Sequence, residues 1–305
     1  MMDGNKHIYE EADYRPAVAP PPQSIFIPGT RIEIVRPIDS PGIYRHALFD
    51  FDGTLSLIRE GWPDVMIPMM VEILLATGTK ETPQELEELV RNFVTELTGK
   101  QTIYQMIRLA EEVARRGGRP LEPTEYKRIY HERLMARIEH RREGLRCGRV
   151  KREDMLVPGA IDLLEELCRR GVALYLASGT DEVYVQDEAR LLGLDKYFGS
   201  HIYGAIDDYK RFSKSMVIQQ ILTTNRITGR ELLGFGDGYV EIQNVKEVGG
   251  TAVAVASDEA QKSGKPDPWK RHRLIGVGAD VVIPDYREWR ALIGYLWGEI
   301  RVPAA

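Results

Sequence analysis

Two rhythms of hydrophobic and polar residues divide this chain. From about residue 62 to 150 the apolar positions recur at three and four. Leu86, Leu89, Val90, Phe93, Val94 and Leu97 share one face, and Ile103, Met106, Ile107, Ala110, Val113 and Ala114 share another. A third segment, 125–146, carries Tyr126, Ile129, Tyr130, Leu134 and Ile138 in the same way. Thr82-Pro83 and Thr124 read as helix starts. Outside this block, short apolar runs alternate with helical stretches. Strands are expected at 44–49, 172–178, 201–206, 231–235, 251–257 and 280–283, with a further short one at 31–36. Helices are expected at 160–170 (stopped by Gly171), at 181–192, from a Ser213 cap through Leu222, and at 287–300. Strands separated by helices imply an α/β fold: a doubly wound parallel sheet covered on both faces. Residues 41–60 and 152–305 then form the α/β core, and 61–151 form an inserted helical domain. Residues 1–40 are expected to form a Pro-rich N-terminal extension. Residues 1–24 turn Pro-rich (RPAVAPPPQS) and should be extended or disordered.

Composition narrows the class. The 305 residues suffice for two domains, and 43% hydrophobic with 29% charged residues is ordinary for a soluble protein. A net charge of −5 argues against nonspecific nucleic-acid binding. The richest apolar run, near 65–76, contains Pro68 and Glu72 and is too short to span a membrane. The polar N-terminus does not resemble a secretory signal. Cys147 and Cys168 form no metal or disulfide pattern, which suits a reducing cytoplasm.

The chemistry concentrates in HALFDFDGTLS, residues 46–56. An apolar strand ends at Phe49, Asp50 and Asp52 follow two residues apart, and Gly53 turns the chain before Thr54. Residues at that spacing share a face of an extended chain. Two carboxylates there repel unless a divalent cation and an electrophile lie between them. A hard cation such as Mg²⁺, held by carboxylates and substrate phosphate, meets that need. Asp50 is then a nucleophile, and Asp52 a proton donor and acceptor. Sites in parallel sheets lie beyond the strands' carboxyl ends, and three more candidates fall there. Ser178-Gly179 ends a strand before a helix, where a hydroxyl and backbone N–H groups can cradle an anion. Lys214 opens a helix, an unfavourable place for a cation unless an anion compensates it; Lys210 competes for that role. GFGDGYVE, residues 234–241, puts Asp237 in a Gly-rich turn with Glu241 four residues on.

The order DFDGT (50–54), SGT (178–180), Lys214 and GDGYVE (236–241) resembles the four motifs of the haloacid dehalogenase-like superfamily. The resemblance runs over roughly 44–300 and is nearest to phosphoglycolate-phosphatase-like members with a helical cap. It implies a Rossmann-like core with that cap inserted between Asp50 and Ser178. It implies that Asp50 forms an aspartyl-phosphate and that Asp52 protonates the leaving oxygen, then activates water. Thr54, Ser178 and Gly179 would hold phosphate oxygens, and Lys214 would neutralise charge. Asp50, the main-chain carbonyl of Asp52 and Asp237 would hold Mg²⁺, with Glu241 close by. Two departures stand out: Ser215 follows Lys214 where many relatives have proline, and the fourth motif ends in Glu241 rather than Asp.

The cap should select the substrate. Arg59 and Trp62 stand at its entrance, and Gly99-Lys100-Gln101-Thr102 separates two of its helices. Arg59, Lys100 and Gln101 are therefore candidate substrate contacts. The basic run 137–152 reads as a solvated helix face. The expected activity is Mg²⁺-dependent hydrolysis of a small phosphomonoester, a sugar phosphate or phosphoglycolate-like. The alternatives are a phosphomutase of the β-phosphoglucomutase type and a noncatalytic partner-binding protein that keeps the fold.

Overall fold

The computed structural model describes residues 24–206 and 208–302. Two short strands come first, β1 (Ile25–Phe26) and β2 (Glu33–Ile34). Six more follow: β3 (His46–Phe49), β4 (Ala173–Asp181), β5 (Ile202–Ala205), β6 (Leu232–Gly236), β7 (Thr251–Val255) and β8 (Val281–Ile283). They form one sheet in the order β1-β2-β8-β7-β6-β3-β4-β5. The six strands from β8 to β5 run parallel, as the alternation of strands and helices required. β1 and β2 add an antiparallel edge. The short strand expected at 31–36 is present as β2, and both strands add part of the N-terminal extension to the sheet: Ile34 is buried against β8, and the buried Glu33 takes a bidentate contact from Arg271. The expectation of extension or disorder before them falls on residues 1–23, outside those described.

Four helices lie between β3 and β4: α1 (Pro63–Leu75), α2 (Pro83–Glu96), α3 (Thr102–Arg115) and α4 (Pro123–Arg146). These are the inserted helical cap. Thr82 starts α2 through a reciprocal cap: its hydroxyl accepts the Glu85 N–H at 3.3 Å while the Glu85 carboxylate accepts the Thr82 N–H at 2.7 Å. α4 begins at Pro123 rather than Thr124, since proline at the first helical position has no N–H to satisfy. The chain leaves for the cap and returns side by side, with Leu57 N–H donating to Met155 O and Val157 N–H to Leu55 O, both at 2.9 Å.

The remaining helices are α5 (Ala160–Arg169), α6 (Glu182–Leu192), α7 (Asp195–Phe198), α8 (Lys214–Asn225), α9 (Tyr239–Glu247), α10 (Pro268–Gly276) and α11 (Trp289–Leu296). Alternation along the strands divides the core in two. Phe49, Leu176 and Phe235 face Leu164, Val185 and Leu292 of α5, α6 and α11. Leu48, Tyr175 and Leu232 face Ile218, Ile242 and Leu274 of α8, α9 and α10. Phe49 and Phe235, neighbours on β3 and β6, stack with centroids 4.4 Å apart directly below the end of β3. α10 was not anticipated. Its start was legible in Asp267-Pro268, where the aspartate side chain accepts the Lys270 N–H at 2.8 Å. Among the described residues, no helix is long and apolar enough to cross a membrane.

Candidate active site

Asp50 continues the ladder past the end of β3, its N–H donating to Phe235 O at 2.9 Å. Gly53 then turns the chain with φ +73, and a Cβ there would stand 2.2 Å from Asp237 Oδ2. Only glycine meets both demands, so this turn and the Gly-rich turn after β6 are packed into each other. Thr54 closes the junction: its Oγ1 donates to Asp237 Oδ1 at 3.2 Å and accepts the Asp237 N–H at 2.9 Å.

Ser213 caps α8, its Oγ accepting the Met216 N–H at 3.1 Å, and this sets Lys214 in the first turn. The Lys214 ammonium donates to Asp50 Oδ1 at 2.8 Å and pairs with Glu241. Burial raises the Asp50 pKa; Lys214 opposes that shift, and the negative Asp237 adds to it. Lys210 lies over the Tyr209 ring instead, 5.9 Å from its centroid. Thr54, Lys214, Asp50, Asp237 and Glu241 thus come together from three separate stretches of chain.

Asp52 faces the cleft, with a quarter of its side-chain surface exposed. Thr180 Oγ1 donates to its Oδ2 at 2.8 Å, while Oδ1 has, among the described residues, only Arg59 Nε at 3.9 Å. The surrounding protein displaces bulk water and pushes the Asp52 pKa up to about 7, against the pull of Arg59. A carboxyl in that range exchanges its proton near neutrality. Ser178 is buried, and its Oγ accepts the Thr180 N–H at 3.1 Å.

The cap closes on this floor through small residues. A Cβ on Gly179 would stand 2.8 Å from Lys100 O, and one on Gly238 3.0 Å from Gly99 Cα. A cavity of about 100 Å³ remains, lined by Asp50, Asp52, Ser178, Gly179, Lys214 and Asp237 from the core and by Arg59, Trp62, Lys100 and Tyr130 above them. Arg59 is engaged sideways, bidentate to the fully buried Glu188 at 2.9 and 3.0 Å. Gln101 does not line the cavity. Its Nε2 donates to Phe212 O at 2.7 Å and Tyr209 O at 3.1 Å, tying the cap to the loop before α8. Gln101, a candidate substrate contact in the sequence, is here a buried tether between the cap and that loop. Glu241 pairs with Lys214, and its stem packs over Gly236. In the basic run, Arg137, Arg141, Arg142 and Arg146 pair with Asp64, Glu60 and Asp187.

Sequence reasoning missed Thr180, Glu188, Glu259 and Lys270. Lys270 donates to Asp237 Oδ2 at 2.7 Å and to Glu259 Oε1 at 2.6 Å. No local pattern marks Glu259; Lys270 was findable only through the Asp267-Pro268 helix start.

Among the described residues, no three His, Cys, Asp or Glu side chains gather as a metal cluster. The donors on hand are two hard carboxylates, Asp50 and Asp237, whose mutual repulsion contributes to the raised Asp50 pKa. Two carboxylates suit Mg²⁺, which keeps several waters and completes its shell with substrate phosphate.

The family model described as haloacid dehalogenase-like hydrolase matches residues 44–249. A 5'-nucleotidase of Pseudomonas aeruginosa is 26% identical over 241 residues, covering 78% of this chain and 92% of that protein. The structure resembles β-phosphoglucomutase from Clostridium difficile (TM-score 0.55, 12% identity, 84% of this chain and 98% of that one). It also resembles a predicted phosphoglycolate phosphatase from Haemophilus somnus (TM-score 0.52, 17% identity, 82% and 98%). At those identities the two structures speak to the fold alone. The family match takes in both β3 with its Asp50 turn and the Asp237 turn after β6. This chain therefore belongs to the haloacid dehalogenase-like hydrolases.

Proposed function

We propose that this hydrolase is a Mg²⁺-dependent phosphatase of small phosphomonoesters, working through an aspartyl-phosphate on Asp50. The observation that carries the reading is the Lys214 ammonium, 2.8 Å from Asp50 Oδ1, at the base of a cavity that also presents Asp52. Lys214 favours the ionised Asp50 carboxylate against its burial and holds it in place, as a nucleophile needs. Asp52, near pKa 7, protonates the departing alkoxide and then takes a proton from the attacking water. Ser178 and the N–H of Gly179 hold phosphoryl oxygens at the end of β4. Mg²⁺ on Asp50, Asp237 and the Asp52 carbonyl would neutralise phosphate charge. The rest is positioning and electrostatics, which suffice for a reaction whose enzymatic acceleration reaches ~10²¹. The closed cap and the small cavity favour a sugar phosphate or phosphoglycolate-like substrate, and we place the enzyme in the cytoplasm.

The test is phosphate release from sugar phosphates, phosphoglycolate and 5'-nucleotides, with Mg²⁺ and with EDTA. Release that needs Mg²⁺ is expected. Formation of an isomer without release would move the assignment to a mutase, and no turnover of any compound to a binding protein.

A second expectation concerns pH. The Thr180 hydrogen bond favours ionised Asp52, so Thr180→Val raises the Asp52 pKa further. The first step needs protonated Asp52, so activity falls as pH rises through that pKa. The alkaline limb of the kcat/KM profile is expected to move to higher pH. An unchanged limb would show that another group sets it.

A further inference from the structure

We propose that Lys270 is a tethered counter-ion of Asp237 that sets how tightly the enzyme takes a divalent cation. The inference rests on the reading that Asp50 and Asp237 hold that cation. The three protons of the Lys270 ammonium have three oxygens to meet: Asp237 Oδ2 at 2.7 Å, Glu259 Oε1 at 2.6 Å and Ser257 Oγ at 3.0 Å. Ser257 Oγ in turn donates to Gly53 O at 2.6 Å, in the turn that follows Asp50 and Asp52. The cluster is mostly buried, with Lys270 12% and Asp237 13% exposed. Lys270 lies in the first turn of α10, where the helix dipole disfavours a cation, so the two carboxylates are what hold it there.

The effect of this ammonium is separable from orientation. Thr54 already grips Asp237 through Oδ1 and the main-chain N–H, whether or not Lys270 is present. What Lys270 adds is a positive charge on the carboxylate that would receive the divalent ion. Like charges sharing one carboxylate in a mostly buried setting oppose each other strongly. The ammonium stabilises the acidic cluster before any metal arrives and weakens metal binding until substrate phosphate adds its own negative charge. Lys270 is a positioning residue in this account, acting on the metal through Asp237.

The experiment is calorimetric Mg²⁺ binding to the full chain, stripped with EDTA and dialysed, without substrate. Lys270→Met leaves Asp237 and Glu259 both anionic and is expected to tighten Mg²⁺ binding by tenfold or more. Lys270→Arg keeps the charge and should stay within threefold of wild type. Glu259→Gln leaves the ammonium to Asp237 alone and should weaken binding. Unchanged or weaker binding in Lys270→Met overturns the proposal, as do shifts of the same sign in Lys270→Met and Glu259→Gln. Should Lys270→Met not fold, Lys270→Arg and Glu259→Gln decide it on the same terms. Absence of Mg²⁺ binding in both wild type and Lys270→Met overturns the phosphatase reading together with this one. Wild type that binds Mg²⁺ with no response to Lys270→Met overturns this one alone.

Discussion

Asp50→Asn is expected to lower phosphate release by ~10⁴-fold or more, the scale seen when a nucleophile is removed. The melting temperature should hold or rise. Asn fills the same space and can still accept from Lys214, which also keeps its pairing with Glu241. The variant loses a buried charge whose ionised form is opposed by desolvation and by Asp237. Activity and stability should therefore move apart, and a melt recorded beside the phosphate assay checks this. A parallel loss of both would mean that Asp50 holds the fold rather than attacks phosphorus.

Lys214→Met should do the opposite to stability. Its ammonium lies between Asp50 and Glu241, which are 7% and 1% exposed. Removing it strands two carboxylates that burial already disfavours. Breaking a buried pair by deleting one partner costs ~3–5 kcal/mol. In a chain of this length that corresponds to a fall in melting temperature of roughly 10 °C. Phosphate release should also collapse, because Asp50 loses the cation that opposes the upward shift of its pKa. Adding Asp50→Asn to Lys214→Met should recover part of the lost stability and none of the activity. A melting temperature unmoved by Lys214→Met would show that the two acids find other compensation.

Much of this was legible along the chain. The three-and-four rhythm between residues 62 and 150 marked α2, α3 and α4, because an amphipathic face is a local property. The apolar run before Asp50, the turn residue Gly53 and the Ser213 cap are local too, and each lies where the residues alone placed it. The antiparallel edge was less legible. β2 falls within the short strand expected at 31–36, but β1 is two residues long, too short for any alternation to show, and it is a strand because β2, itself paired to β8, offers it an edge.

The sequence by itself determined the kind of fold, the inserted helical block and the acids and candidate lysines of the site, since strand alternation, helix period and turn residues are written into neighbouring positions. Tertiary structure alone decided which of those groups meet. Lys214 rather than Lys210 reaches Asp50 because the Ser213 cap and the packing of α8 on the sheet aim that one residue inward. Gln101 became a tether because two glycines let the cap loop press against the core. Lys270 reached Asp237 because Leu274 packs α10 on the same sheet face as α9, bringing together residues far apart along the chain. Contacts of that kind depend on how whole elements dock, and no periodicity along a single element encodes them.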